Sequence, residues 1–291
     1  MRLLTLRSLR LLLLVVFALF FVAPMLWLLL APTKSDNGLV TSNPFAFGSF
    51  HQIALAWDHL DGFSSHIYRR WIENSLLYAA SATLIVLATA IPAGYGLAFG
   101  TFRGRKAILT LTLVVMIMPA AALVLPIFLE LNSLKLIGSV FSVILPFAFY
   151  PFGVYIAYIY YSTSMPRDVL DAARIDGCGE WTTFRHIALP LAKPVIALVL
   201  FFSFVADWNN FFLPYAVLAK SSQYPIQVGL SNLLSSTPSF NPAVGGGGQQ
   251  VNIFRPELAL ATLIAVVPVL IVFMVSQRSL VRGLLGGGVK Q

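Results

Sequence analysis

Between residues 74 and 102 the chain reads NSLLYAASATLIVLATAIPAGYGLAFGTF, without one charged side chain. A hydrocarbon core about 30 Å thick needs roughly 18 to 20 apolar residues to cross, and this stretch exceeds that. Four further charge-free windows run from Leu11 to Thr33, Ala107 to Leu129, Leu136 to Pro166 and Leu258 to Gln277. Another, Pro194 to Ala219, is interrupted by Asp207 alone. The chain is 58% hydrophobic and 10% charged. Soluble domains carry about 25% charged residues, so too few are present to coat a water-facing surface. The pattern predicts an all-α membrane protein of six transmembrane helices and excludes a small soluble domain.

The first window follows Arg2, Arg7 and Arg10, as in a secretion signal. It runs on through Pro24, Met25 and Trp27 to Ala31 with no small-residue cleavage site, so it reads as an uncleaved first helix. With the amino terminus taken as cytoplasmic, Arg103, Arg105, Lys106, Arg167, Arg174, Arg185, Lys193, Arg278, Arg282 and Lys290 also fall inside. Lys34, Arg69, Arg70, Lys135, Lys220 and Arg255 fall outside. That asymmetry predicts both termini in the cytoplasm and accounts for the net charge of +8 without a nucleic-acid partner. Cys178 is the one cysteine, so no intrachain disulfide exists.

The outer segment from Pro32 to about Glu73 carries His51, His59 and His66, which read as solvated loop histidines because their spacings match no short metal-ligand pair. Arg103 to Lys106, with Gly104, forms a tight inner turn between helices two and three, and the outer link at Glu130 to Lys135 is as short. Gly96-Leu97-Ala98-Phe99-Gly100 has the small-xxx-small spacing that lets helices approach closely. Pro92, Pro119, Pro126 and Pro146 interrupt helices two to four, either as kinks or beside a wet cavity. Lys220 to Pro256, with Pro238, Pro242 and Gly245 to Gly248, reads as a flexible outer loop. The expected organisation is a first helix and outer segment over 1–70, one membrane domain over 71–278 and a cytoplasmic tail over 279–291.

The largest inner loop, Ser162 to Pro194 between helices four and five, is predicted to be a short helix, a glycine turn and a second short helix. Pro166 suits a first helical turn. Val169, Ala172 and Ala173 share a face, and Gly177 suits the left-handed residue that ends a helix. Trp181, Phe184 and Ala188 form an apolar stripe that Pro190 stops. Asp168, Asp171, Asp176, Glu180, Arg167, Arg174, Arg185 and Lys193 surround these stripes. From the residues alone, the pair either docks on a partner in a helix-in-groove manner or lies against its own bundle or the membrane.

Asp171-Ala172-Ala173-x-x-Asp176-Gly177, then Phe184, Ile187, Leu189-Pro190 and Pro194, resembles the EAA loop of ABC-importer permeases. Asp171 replaces the usual Glu and Cys178 the usual Ala. Asn74-Ser75, Pro92-Ala93-x-Tyr95-x-Leu97-Ala98, Trp208-Asn209-x-Phe211 and Gln277-Arg278-x-x-Val281-Arg282-Gly283 are similar to the maltose-type, G-subunit branch of carbohydrate uptake. The resemblance implies a coupling role for Asp171, Ala172, Ala173, Asp176, Gly177, Trp181, Phe184 and Pro190 against an ATP-binding subunit. It further implies a second permease as heterodimer partner, two ATP-binding subunits, an extracytoplasmic solute-binding protein and surrounding membrane lipid, in a bacterial or archaeal cytoplasmic (inner) membrane.

No phosphate-binding loop of the G-x-x-x-x-G-K-[ST] form occurs. The chain is therefore expected to hold no cofactor, with ATP and Mg in the partner ATPases, and not to be an enzyme. The rival reading, an ion-coupled secondary transporter, has one intramembrane carboxylate, Asp207, to support it. A membrane-embedded enzyme has no paired carboxylates or Ser/His arrangement within the helices. Ser203, Asp207 and Asn210, at i, i+4 and i+7, form a polar stripe on helix five, flanked by Trp208 and Phe211. These five residues either line a substrate cavity or, for Asp207 especially, bond to a neighbouring helix or subunit. In a Cys178→Ser background, a cysteine at residue 240 should label with impermeant thiol reagents from outside and one in the 162–194 loop from inside; labelling of residue 240 solely from the cytoplasm would reverse the topology.

Overall fold

The computed structural model describes residues 2–238, 240–241 and 253–286, with 2–8 and 278–286 described in backbone only. All the regular structure among the described residues is helical. The helices are α1 (Arg2–Leu30), α2 (Asp36–Thr41), α3 (Phe50–Gly62), α4 (Ile67–Phe99), α5 (Arg105–Ile117), α6 (Ala120–Ser133), α7 (Phe141–Ala148) and α8 (Pro151–Thr163). There follow α9 (Arg167–Ile175), α10 (Glu180–Thr183), a π-turn (Phe184–Ala188), α11 (Leu189–Leu191), α12 (Lys193–Trp208), α13 (Phe212–Val217), α14 (Ile226–Ser235) and α15 (Arg255–Gly286).

Four segments are long and apolar enough to cross a membrane: Leu9–Thr33, Ile67–Phe99, Phe141–Thr163 and Arg255–Gln277. Two bent pairs, α5 with α6 (108°) and Glu180–Leu191 with α12 (76°), raise the count to six if each pair is one span. The third charge-free window is therefore not a straight helix. Met118, the residue before Pro119, is extended (φ −69°, ψ 129°), because the proline ring disfavours a helical predecessor. Tyr150 before Pro151 is likewise non-helical (φ −122°, ψ 89°). Pro92, Pro126 and Pro146, expected to interrupt, stay inside α4, α6 and α7.

The fifth window also divides. Helix α12 ends at Trp208 and α13 begins at Phe212, since Pro214 supplies no N–H to the Asn210 carbonyl and its ring would clash there. Asn210 is thus off the helix that carries Ser203 and Asp207, and the expected continuous stripe is broken.

Contacts divide the chain into two compact units, Met1–Arg70 with Gly229–Val267, and Trp71–Val228 with Pro268–Gln291. In the first, the outer segments are more ordered than expected. Thr33 and Lys34 are buried, Gly48 and Ser49 donate backbone N–H bonds to the Thr33 hydroxyl (2.9 Å) and carbonyl (2.7 Å), and Lys34 donates to the Asn43 and Pro44 carbonyls. A β-carbon on Gly48 would lie 2.0 Å from the Thr33 carbonyl oxygen, so only glycine fits. Two of the histidines read as solvated are in fact partnered. His59 pairs with Glu257 at 2.8 Å and His66 with Asp61 at 3.1 Å. The segment read as a flexible loop from Lys220 onward contains α14; Pro242 and Gly245 to Gly248 lie outside the described residues, as does 287–291 of the tail.

The second unit holds two apolar clusters. One gathers Val86, Ile91 and Tyr95 of α4, Ala157 and Tyr161 of α8, and Val195 and Val199 of α12. The other joins Tyr78 and Ala82 to Leu131, Val143, Ile144 and Leu213. The close crossing of α4 and α8 is at Gly94, not at the Gly96–Gly100 pair. A β-carbon on Gly94 would sit 2.4 Å from Ala157 Cβ, whereas one on Gly96 would meet nothing within 4 Å. Gly94→Leu should therefore destabilise by about 1–3 kcal/mol or more through overpacking, while Gly96→Leu is tolerated; melting of the detergent-purified variants, followed by size-exclusion recovery, distinguishes them.

Candidate functional site

The Arg167–Leu191 segment is the most constructed feature of the second unit. Pro166 caps α9 from just outside its first turn. At the other end Gly177 N–H reaches the Arg174 carbonyl (3.1 Å) and Cys178 N–H the Ala173 carbonyl (3.0 Å), the paired bonds of a Schellman stop. This requires a left-handed residue, and Gly177 has φ +84°. A β-carbon there would meet nothing within 4 Å, so the demand for glycine comes from the backbone alone.

The packed face of α9 is Leu170 and Ala173, while Val169 and Ala172 stay exposed. The expected Val169–Ala172–Ala173 face is displaced by about one residue, because Leu170 offers more apolar area to the bundle. Leu170, Phe184 and Ala188 complete the cluster built on Val86, Tyr95, Tyr161 and Met165. Tyr95 is its hub, with ring centroids 5.1 Å from Phe184, 5.2 Å from Phe99 and 5.5 Å from Tyr161.

Pro190 does not end the second helix. The π-turn over Phe184–Ala188 is directly followed by α11, where the proline occupies a first-turn position and its missing N–H costs nothing. The chain bends instead at Ala192, where Tyr160 donates to the Leu191 carbonyl (2.8 Å).

A polar brace lies across the turn. Arg174 bonds Asp171 (3.0 Å) and Glu180 (3.0 Å), and the Tyr95 hydroxyl reaches the other Glu180 oxygen at 3.3 Å. The outward face, by contrast, is apolar and uncovered: Ile175 is 87% and Trp181 66% exposed, Trp181 leaning on Phe184 at 5.5 Å. The segment therefore lies against its own bundle on one side and presents a free apolar side on the other. Asp176 caps α9 and is exposed.

The five residues expected around a cavity do not form one site. Ser203 is fully buried and donates to the Val199 carbonyl of its own helix (2.7 Å). Trp208 is buried and stacks on Phe204 at 5.6 Å. Asp207 accepts a long bond from Thr83 (3.4 Å), and Phe211 stacks on Tyr215 at 5.3 Å. Asn210 alone lines a cavity of about 420 Å³. Three of the helix breaks reach that cavity: Met118 and Ala120 flank Pro119, Phe149 and Tyr150 precede Pro151, and Asn210 and Phe212 border the break before Pro214. Sequence reasoning missed this convergence; the pointers were Pro119, Pro151 and Pro214. Among the described residues, no group of three His, Cys, Asp or Glu side chains is placed to hold a metal.

Several broken apolar spans around a cavity, with an amphipathic segment packed on the α4–α8–α12 cluster, are the architecture of a membrane transport protein. Residues 90–286 match the family model of the binding-protein-dependent transport system inner membrane component, and the chain belongs to that family. It is 35% identical to the arabinooligosaccharides transport system permease protein AraQ of Bacillus subtilis, over 77% of this chain and 74% of that one. It is 30% identical to the diacetylchitobiose uptake system permease protein NgcG of Streptomyces coelicolor, over 91% and 83%. Its fold matches a chain in the structure of a bacterial ABC transporter involved in alginate import, with TM-score 0.78, 22% identity and coverage of 94% and 96%. The family sets aside the ion-coupled carrier and the membrane-embedded enzyme.

The geometry assigns unequal weight to the two parts of the Tyr95 contact. The brace is exposed and worth under about 1 kcal/mol, whereas the ring fills the cluster. Tyr95→Phe should leave thermal stability in detergent nearly unchanged, and Tyr95→Ala should lower it by about 3 kcal/mol or more.

Proposed function

We propose that this chain forms half of the solute pathway of an ATP-driven importer, paired with a second, unlike permease. Two partner ATPases, which hold ATP and Mg, supply the energy, and an extracytoplasmic binding protein delivers the solute. The solute class is an oligosaccharide or a similar glycoside, as the names of the relatives suggest. On this reading the chain crosses the inner membrane six times with both termini in the cytoplasm, each bent pair counting as one crossing, and 71–278 acts as the permease domain.

The observation that carries the proposal is the two-sidedness of Arg167–Leu191. Its inner face is fixed to the bundle through Leu170, Phe184 and Ala188, and its outer face offers Trp181, Ile175 and Val169. An ATPase at the membrane surface cannot reach the solute, so its closure must push on a rigid protruding element. This segment leaves Ile175 and Trp181 exposed and continues into α12 across the 76° bend. Asp171, Ala172 and Asp176 lie on or beside the exposed side, where a docking cleft meets them, while Ala173 and Pro190 shape the segment. Asn210 and the helix-break cavity are the proposed solute-facing region; Ser203 and Trp208 serve packing.

Reconstitution of Gly177→Asp with the partner subunits tests the coupling role, with uptake of a panel of labelled oligosaccharides and ATP hydrolysis measured together. An L-residue in the left-handed region costs about 1–2 kcal/mol and distorts the turn. The subunit should insert normally while uptake falls at least about tenfold, a loss that about 1.4 kcal/mol suffices to produce. Retained ATPase binding would mark a defect in transmission, lost binding a defect in docking. Wild-type uptake with normally stimulated hydrolysis would show that the segment does not couple.

A further inference from the structure

At the basic end of α4 and α5, three cavities of the second unit run into one another. An apolar groove of about 440 Å³ lies between α4, α5 and α8, lined by Leu97, Ile108, Leu111 and Val154 and closed at one end by Phe102. Phe102 also lines a cavity of about 380 Å³ at the Gly100–Ala107 turn. Thr101 and Arg105 carry that cavity into a pocket of about 270 Å³ against α9, where Arg167, Arg174 and Asp171 complete the lining. A groove lined by apolar side chains and Thr112 thus adjoins a cationic pocket through shared lining residues.

The charges of that pocket do not balance. Asp171 is bound by Arg174, which also holds Glu180. Arg105 spends one N–H on the Ala98 carbonyl, and neither Arg105 nor Arg167 pairs with a described acidic side chain. Arg103 and Lys106 stand on the same turn and are exposed. The first turn of α5 has Gly104 as its N-cap, with no side-chain cap, so its N–H groups add positive potential at the same place. Ile108 and Leu111 remain 45% and 63% exposed along the groove.

An anion without a tail would leave the groove unused, and a zwitterionic headgroup would bring a second cation beside the two arginines and no net compensating charge. A guanidinium pair beside an apolar channel at a membrane surface matches a phosphate with an acyl chain attached. We propose that this groove holds an anionic phospholipid, its phosphate between Arg105 and Arg167 and one acyl chain along Leu97, Ile108 and Leu111. Because α9 contributes Arg167, the bound lipid joins the membrane surface to the segment that leads into α12. The site shares Asp171 and α9 with the segment proposed to meet the ATPase, and none of the residues lining its cationic pocket lies at the proposed solute-facing cavity.

The test uses the full-length chain with the subunits that copurify, extracted in mild detergent and titrated with dioleoyl phosphatidylglycerol or dioleoyl phosphatidylcholine in native mass spectrometry. The anionic lipid should bind preferentially, and Arg167→Gln and Arg105→Gln should each weaken it about fivefold while leaving phosphatidylcholine adducts unchanged. Arg105 also caps α4, so Arg167→Gln, an exposed position, is the arm that carries no folding cost; monodispersity on size exclusion checks both. Leu111→Trp, which narrows the groove, should reduce lipid binding with the arginines intact. Inorganic phosphate at millimolar concentration should not displace the lipid. Equal binding of the two lipids, indifference to both arginine variants, or displacement by phosphate would each overturn the proposal. So would cross-linking of a Leu111→Cys variant to a partner subunit instead of to a thiol-reactive lipid probe.

Discussion

In hydrocarbon every backbone N–H and C=O needs a partner within the protein, because no water is present to supply one. A helix meets that demand by itself, and each interruption of a helix must be met by something else. Here the interruptions are few and their solutions visible. Four side chains on one face of α4 serve the irregular backbone between α13 and α14. Trp71 donates to the Ser221 carbonyl (2.8 Å), Asn74 to those of Ser222 and Tyr224, and Tyr78 to that of Gln223, while Ser75 accepts from Ile226 N–H (2.6 Å). Their spacing of i, i+3, i+4 and i+7 is one helical stripe, turned to polar use. Gln223 and Val217 close the same region by bonding the backbone of Gly138.

The three breaks at Pro119, Pro151 and Pro214 fall under the same constraint. Each removes an N–H from the helical ladder, and residues beside all three line one cavity. A cavity walled by Phe, Met, Leu, Val, Ile, Ala and Pro side chains, with Asn210 and Tyr150 as its polar side chains, offers apolar faces and a few polar groups together. On the proposed reading of this cavity as solute-facing, that combination suits a sugar-like solute, whose hydroxyls need partners and whose ring faces stack on apolar surface.

How much of this was legible in the sequence follows from the range of each effect. Charge-free length is a one-dimensional property, so the apolar segments could be read directly, though not that two of them are bent. The Gly177 stop is local, depending on the residues on either side of it, and was legible for that reason. Helical phase relative to a neighbour is not local. Gly94 lies in the same phase as Ala90, Ile91, Leu97 and Ala98, which are all buried, whereas Gly96 belongs to the other side. The spacing rule finds both glycines and cannot choose between them. The same limit displaced the packed face of α9 from Val169 to Leu170. The stripe through Asn210 failed for a different reason: Pro214 acts four residues upstream of itself, so the break precedes its cause in the chain.

The π-turn ties these threads together at the Arg167–Leu191 segment. An α-helix through Phe184–Ala188 would bring the Pro190 ring against the His186 carbonyl, and the segment would have to kink or end there. Widening that turn removes the conflict and keeps Phe184 and Ala188 both in the Tyr95 cluster. A widened turn is held by i→i+5 bonds, a less common geometry that persists where packing over-determines it. In this chain the packing on its inner side is aromatic and tight, while its outer side carries little beyond the exposed indole of Trp181. A push delivered at Trp181 therefore meets a body that does not yield inward. If the segment couples as proposed, the push passes through Ala192 into α12, whose far end is the break at Asn209–Phe211 beside the cavity. On the proposed reading, the same proline-driven interruptions that open the cavity also mark where the motion arrives.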